Sequence, residues 1–149
     1  MSHPMEVTLR VVAARPTAVV PATTTWREFP TLWRDLLDEV WACLRVAGID
    51  RGCPNVMLYK DDLPTVEVGV EILRPCRLSG RVVASTLPAG RTATTIHRGS
   101  YAGLAGAHRA VLDWCAEHGS TPAGPRWEVY GPHGDDPGEV RVEVSYLLL

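Results

Sequence analysis

Shifted by 71 positions, the sequence falls partly onto itself. Arg10-Val11-Val12-Ala13 lands on Arg81-Val82-Val83-Ala84, Ala22-Thr23-Thr24 on Ala93-Thr94-Thr95, and Tyr59 on Tyr130. Over positions 6 to 61 the shift gives 13 identities; composition alone would give about 4, at roughly 7% per common residue type. A unit written twice restricts the fold to two similar modules, and a cleft between two copies is a natural place for a ligand. The expected organisation is one domain over residues 1–149, with repeats at about 6–73 and 77–147.

The 149 residues suffice to bury a core. A net charge of −2 gives no basic field for nucleic acid. Cys43, Cys53, Cys76 and Cys115 are scattered, with no Cys-x-x-Cys pair and no Cys/His pair at ligand spacing. They read as reduced thiols of a cytoplasmic protein, with no metal and no cofactor expected. The first residues, MSHPMEVTLR, form no apolar signal segment, and no apolar run reaches membrane-spanning length.

Each half reads strand, strand, helix, strand, strand. The first half has strands at 6–13 and 17–25, with Arg15-Pro16 as a turn, a helix at 31–47, and strands at 55–60 and 65–73. Leu32, Trp33, Leu36, Leu37, Val40, Trp41 and Leu44 recur at helical spacing, between Pro30 and Gly48. The second half has strands at 81–87 and 91–97, a helix at 101–117, and strands at 126–130 and 139–147. The turn at 131–138 is longer than its counterpart, so the shift becomes 74 there and matches Val66, Val68 and Val70 to Val140, Val142 and Val144. This pattern predicts an α+β fold: an antiparallel sheet with pseudo-twofold symmetry, one helix per module and a central groove.

Alternation along the strands assigns faces. Val66, Val68 and Val70 are expected to meet the helix, which turns Glu67, Gly69 and Glu71 away. The same reasoning turns Glu143 away, sends Trp127 and Val129 towards the helix, and puts Met57, Tyr59, Glu128 and Tyr130 with the glutamates. Trp26 and His97 are read as equivalent positions where strands feed the helices. If the halves share one concave sheet, its helix-free face becomes an aromatic groove with carboxylates, suited to an apolar cation or to acid–base chemistry. Trp33, Trp41 and Trp114 are expected to pack in the core or on helix faces, and His108 and His118 to sit on a helix face and a helix end.

The run LPAGRTATTIHRGSYAGL, then VLDWCAEHG, GPRWEVYG and EVRVEVSYLL, resembles the GyrI-like small-molecule-binding domain, the effector-binding domain of AraC-type and MerR-type regulators. The resemblance implies a ligand groove between two modules, where aromatics and an acidic residue bind lipophilic, often cationic compounds. Carried onto this sequence, the ligand-binding set is Trp26, Met57, Tyr59, Glu67, Glu71, His97, Glu128, Tyr130 and Glu143, in a stand-alone sensor or sequestering protein. The alternative that it implies is hydrolysis of cyclopropane-bearing alkylating natural products, with Glu128, Glu143 and Tyr130 as the reacting groups. A third is a protein-interaction module that masks a target such as gyrase.

Overall fold

The computed structural model describes residues 6–131 and 141–149, so most of the expected 131–138 turn, the start of the last strand, His3 and His133 lie outside the described residues. The elements run β1 (Val7–Val12), β2 (Arg15–Thr23), α1 (Phe29–Val46), β3 (Asn55–Tyr59), β4 (Thr65–Glu71), β5 (Val83–Leu87), β6 (Gly90–Arg98), a 3-10 turn (Tyr101–Gly103), α2 (Leu104–Glu117), β7 (Pro122–Tyr130) and β8 (Arg141–Leu148). The strand-strand-helix-strand-strand pattern therefore occurs twice. Arg15 and Pro16, expected in a turn, open β2 instead.

All eight strands form one antiparallel sheet in the order β1-β6-β8-β7-β3-β4-β2-β5. Exchanging each strand for its copy in the other module reverses this order onto itself, the signature of a pseudo-twofold axis between β3 and β7. The pairing also fixes the true register of the duplication. Arg15 faces Leu87 on one edge, and Val12 faces Gly90 on the other, so equivalent residues here lie 75 apart. The spacing is 71 only at β3 and β7, because α2 has 14 residues against 18 in α1. At β4 and β8 it is 76, which matches Val66 with Val142 and Val68 with Val144 and corrects the shift of 74. The early identities at a shift of 71 are thus out of structural register.

The strand order forces the sheet to curl. β1 lies at one edge and β2 is six strand spacings away, about 29 Å in a flat sheet. Only Ala13 and Ala14 join them, and Val12 to Arg15 spans at most about 11 Å. Pro88 and Ala89 impose the same closure between β5 and β6. The hollow side is identified by Arg15, which reaches Glu143 on β8 at 3.2 Å from four strands away. That side is opposite the helices. It is filled by Val19, Val56, Leu58, Leu87, Trp127 and Val129, while the helices cover the outer side through Leu36, Val40 and Leu44 of α1 and Ala107, Val111 and Cys115 of α2.

The central strands are therefore buried on both faces. Gly69 shows how closely β2 lies against β4: a Cβ there would overlap the Ala18 carbonyl oxygen. A backbone atom cannot swing away as a side chain can. Gly69→Ala should accordingly lower stability by about 1–3 kcal/mol or more, read as a fall in the urea midpoint at constant m-value.

Candidate functional site

Outside the sheet, between α1 and the Tyr101 turn leading into α2, lies a cavity of about 780 Å³. Its floor is Met57, Tyr59, Glu128 and Tyr130 on the two central strands; its walls include Phe29, Trp33 and Leu37 of α1, with Tyr101 and Leu104 opposite. The volume falls within the range of small-molecule sites.

The floor residues come from equivalent positions. Met57 and Glu128 face each other across the β3–β7 pair, beside the pseudo-twofold axis. Tyr59 and Tyr130 are images of each other, and both converge on one oxygen. Tyr59 donates to Glu128 Oε1 at 3.0 Å and Tyr130 donates to the same atom at 2.7 Å. The other oxygen, Oε2, receives His108 Nε2 at 2.6 Å, and His108 Nδ1 lies 2.7 Å from the Tyr146 hydroxyl. Glu128 is 4% exposed. A carboxylate so placed needs donors to replace water, and three side chains supply them.

Burial, and after it the negative charge of Glu128, push the Tyr59 and Tyr130 phenols far above their ordinary range, so both remain donors. Burial pushes the Tyr146 phenol up to about 12, partly offset by Arg126. A ring layer surrounds the floor. Trp26 and Phe29 each lie 5.5 Å from the Tyr59 ring, and Tyr101 lies 6.0 Å from Tyr130. Arg126 sits 5.5 Å from the Trp26 ring and pairs with Asp62 at 2.8 Å.

This geometry divides the nine residues expected on one face. Met57, Tyr59, Glu128 and Tyr130 lie on the helix side and line the cavity, and Trp26 lies tilted against Tyr59. Glu67, Glu71 and Glu143 lie on the hollow side, away from it. Each has a partner there: Glu71 forms a two-point ion pair with Arg15 at 2.7 and 2.9 Å, Glu143 shares that arginine, and Glu67 holds Lys60 at 2.7 Å and Ser85 at 2.6 Å. The hydrogen bonds and charge of Glu71 hold the Arg15 guanidinium above its usual range. The groove is thus on the helix side, and Trp127 and Val129, expected towards the helix, fill the hollow side instead.

His97 is buried against Gly103 and its Nε2 contacts the Ser100 carbonyl at 2.6 Å. It holds the turn that carries Tyr101 and does not line the cavity. The structural partner of Trp26 is Tyr101, 75 positions on, and that of His97 is Ala22. Two further residues join the site. Trp33, expected in the core or on a helix face, packs partly buried against the core and is also a cavity wall; its structural equivalent is His108, which reaches the floor from α2. Spacing carried a signal for His108, since positions 104, 108, 111 and 115 form one helical stripe.

No cluster among the described residues has the composition to hold a metal ion, and no described helix is long and apolar enough to cross a membrane.

Two modules enclosing an aromatic cavity around one buried carboxylate define a small-molecule-binding protein. The chain belongs to the GyrI-like small molecule binding domain family, whose sequence model matches residues 5–147. No curated protein matches the sequence. Among solved structures, the C-terminal domain of EcmrR superposes with a TM-score of 0.75 at 16% identity, over 97% of this chain and 98% of that one. SAV2435 bound to tetraphenylphosphonium gives 0.67 at 14%, over 97% and 94%. A hydrolase from Listeria innocua gives 0.60 at 9%, over 97% and 92%. At these identities the likeness is one of fold.

Proposed function

We propose that this chain binds a lipophilic cation in the helix-side cavity and acts by sensing or sequestering it. The observation that carries this reading is Glu128, a carboxylate buried in the floor of a mainly apolar, aromatic cavity whose lining also includes Arg34, Asp38 and Asn55. Aromatic faces attract a poorly hydrated cation, and a carboxylate screened from water adds a Coulomb attraction. The fold is shared with SAV2435, which was solved with tetraphenylphosphonium. Titration with tetraphenylphosphonium should quench tryptophan emission saturably, through Trp33 in the wall. Absence of saturable quenching, with calorimetry equally silent, contradicts the reading.

One contact favours a second reading. His108 against Glu128 Oε2 at 2.6 Å resembles an acid–base pair. In such a hydrolase the pair would take a proton from water as the water oxygen bonds to one strained ring carbon; the C–C bond breaks with its electron pair on the other carbon, which would receive the proton. Incubation with a cyclopropane-bearing alkylator separates the readings: water adduct in excess over protein supports hydrolysis, and stoichiometric retention of intact compound supports binding.

A further inference from the structure

We propose that His108 sets the ligand charge this cavity accepts: as an imidazolium it is itself the cation that Glu128 holds, and a cationic ligand binds with loss of its proton. This rests on the cation-binding reading and deepens it.

The argument starts from the two ring nitrogens. Nε2 faces a carboxylate oxygen at 2.6 Å, so it carries hydrogen in either charge state. Nδ1 faces the Tyr146 hydroxyl at 2.7 Å. A hydroxyl can donate or accept by rotating its hydrogen. With neutral His108, Tyr146 donates to Nδ1 and the cluster carries one negative charge. With charged His108, Nδ1–H donates to Tyr146 and the cluster is neutral. Both states keep the two ring nitrogens of His108 hydrogen-bonded in the chain Tyr146–His108–Glu128 without moving a heavy atom; in the charged state the Tyr146 hydrogen turns away from the ring. The raised Tyr146 phenol supports this, since the hydroxyl keeps its hydrogen in both states. The side chain of His108 is 21% exposed, so its proton has a route to water.

The groups facing His108 are few. Glu128 on β7 and Tyr146 on β8 touch it directly, and Tyr59 and Tyr130 face it through Glu128. Arg126, held by Asp62, and the Cys115 thiol act on Tyr146 from β7 and α2. Arg109, next on the helix, is exposed. Among the described residues, Glu128 is therefore the charged group in direct contact with the ring. A ligand cation placed over Tyr59 and Tyr130 competes for the same negative charge, and two cations on one buried carboxylate repel. The neutral form of His108 then favours the ligand, and binding and protonation oppose each other by linkage.

The test uses tetraphenylphosphonium with the full chain, from about pH 5 to 8, where histidine side chains ordinarily titrate. Affinity should rise with pH by up to about tenfold per unit, the limit for one linked proton. His108→Gln, which can still donate to Glu128, should flatten the profile and bind better than wild type at the acid end. A variant-free readout guards against misfolding: at about pH 6, the ring 15N shifts of His108 should report loss of the imidazolium on saturation. A pH slope that survives in His108→Gln, or ring shifts reporting one charge state with and without ligand, overturns the proposal. If affinity is pH-independent yet abolished by Glu128→Gln, this inference fails while the cation-binding reading stands. If no binding occurs at any pH, both fail.

Discussion

Glutamine in place of Glu128 should weaken tetraphenylphosphonium binding about tenfold to a hundredfold, because two opposite unit charges about 7 Å apart attract by about 2 kcal/mol at an effective dielectric constant of about 20. The amide oxygen still accepts from Tyr59 and Tyr130, and the amide nitrogen donates to His108 Nε2 once the ring carries its hydrogen on Nδ1, so the cavity keeps its shape while the carboxylate charge is removed. Fluorescence titration of both proteins reads the effect, and matching thermal melts would show that the fold is intact. Glu71→Gln and Glu143→Gln are the matched controls. Both side chains lie across the sheet, bound to Arg15, and their loss should leave affinity within about twofold, since exposed or half-exposed ion pairs contribute little at a distance. Equal losses at Glu128 and Glu143 would mean that the sheet faces have been assigned wrongly.

Trp127→Ala should produce the largest loss of stability. Trp127 is 2% exposed and packs in the hollow of the sheet with Val19, Val56 and Leu58. Removing a buried tryptophan costs about 3–5 kcal/mol, a large part of the roughly 5–15 kcal/mol that holds a domain together. The urea midpoint should fall steeply. The equivalent truncation in the cavity wall, Trp33→Ala, should cost far less stability and more affinity, since Trp33 lines open space. The pair distinguishes a residue that closes the sheet from one that faces ligand.

The helices and the repeat were legible in the sequence because their signals are strong. One apolar stripe identified α1, and Pro30 and Gly48 bracketed it. Alternation also worked where one face of a strand is polar: Val66, Val68 and Val70 meet α1 as expected. It failed on the central strands for a physical reason. In β3 both Val56 with Leu58 and Met57 with Tyr59 are buried, because helices cover one side and the curled sheet covers the other. With two apolar faces, a period of two cannot choose between them. The curl itself follows from the edge pairings, β1 with β6 and β5 with β2, which no local pattern announces.

The site was half legible. Tyr59 and Tyr130 stood out through the duplication, and alternation placed Glu128 in the same set. Glu67, Glu71 and Glu143 stood beside them because charge alone does not reveal an arginine four strands away. His108 was read as a helix-face residue, although it lies on the stripe of Leu104, Val111 and Cys115. A histidine on a buried stripe implies a polar partner across the interface, and here that partner is the one carboxylate of the cavity floor. The pairing of Trp26 with His97 erred because the shift of 71 holds only at β3 and β7, and ahead of the helices it is 75.

The most direct test of a cation site around Glu128 is a crystal structure of the chain with tetraphenylphosphonium. The phosphonium should lie between α1 and the Tyr101 turn, over the Tyr59 and Tyr130 rings and on the Glu128 side of Met57. Density in the hollow beside Glu67, Glu71 and Glu143, or an empty cavity at a ligand concentration that saturates the protein in solution, would contradict it.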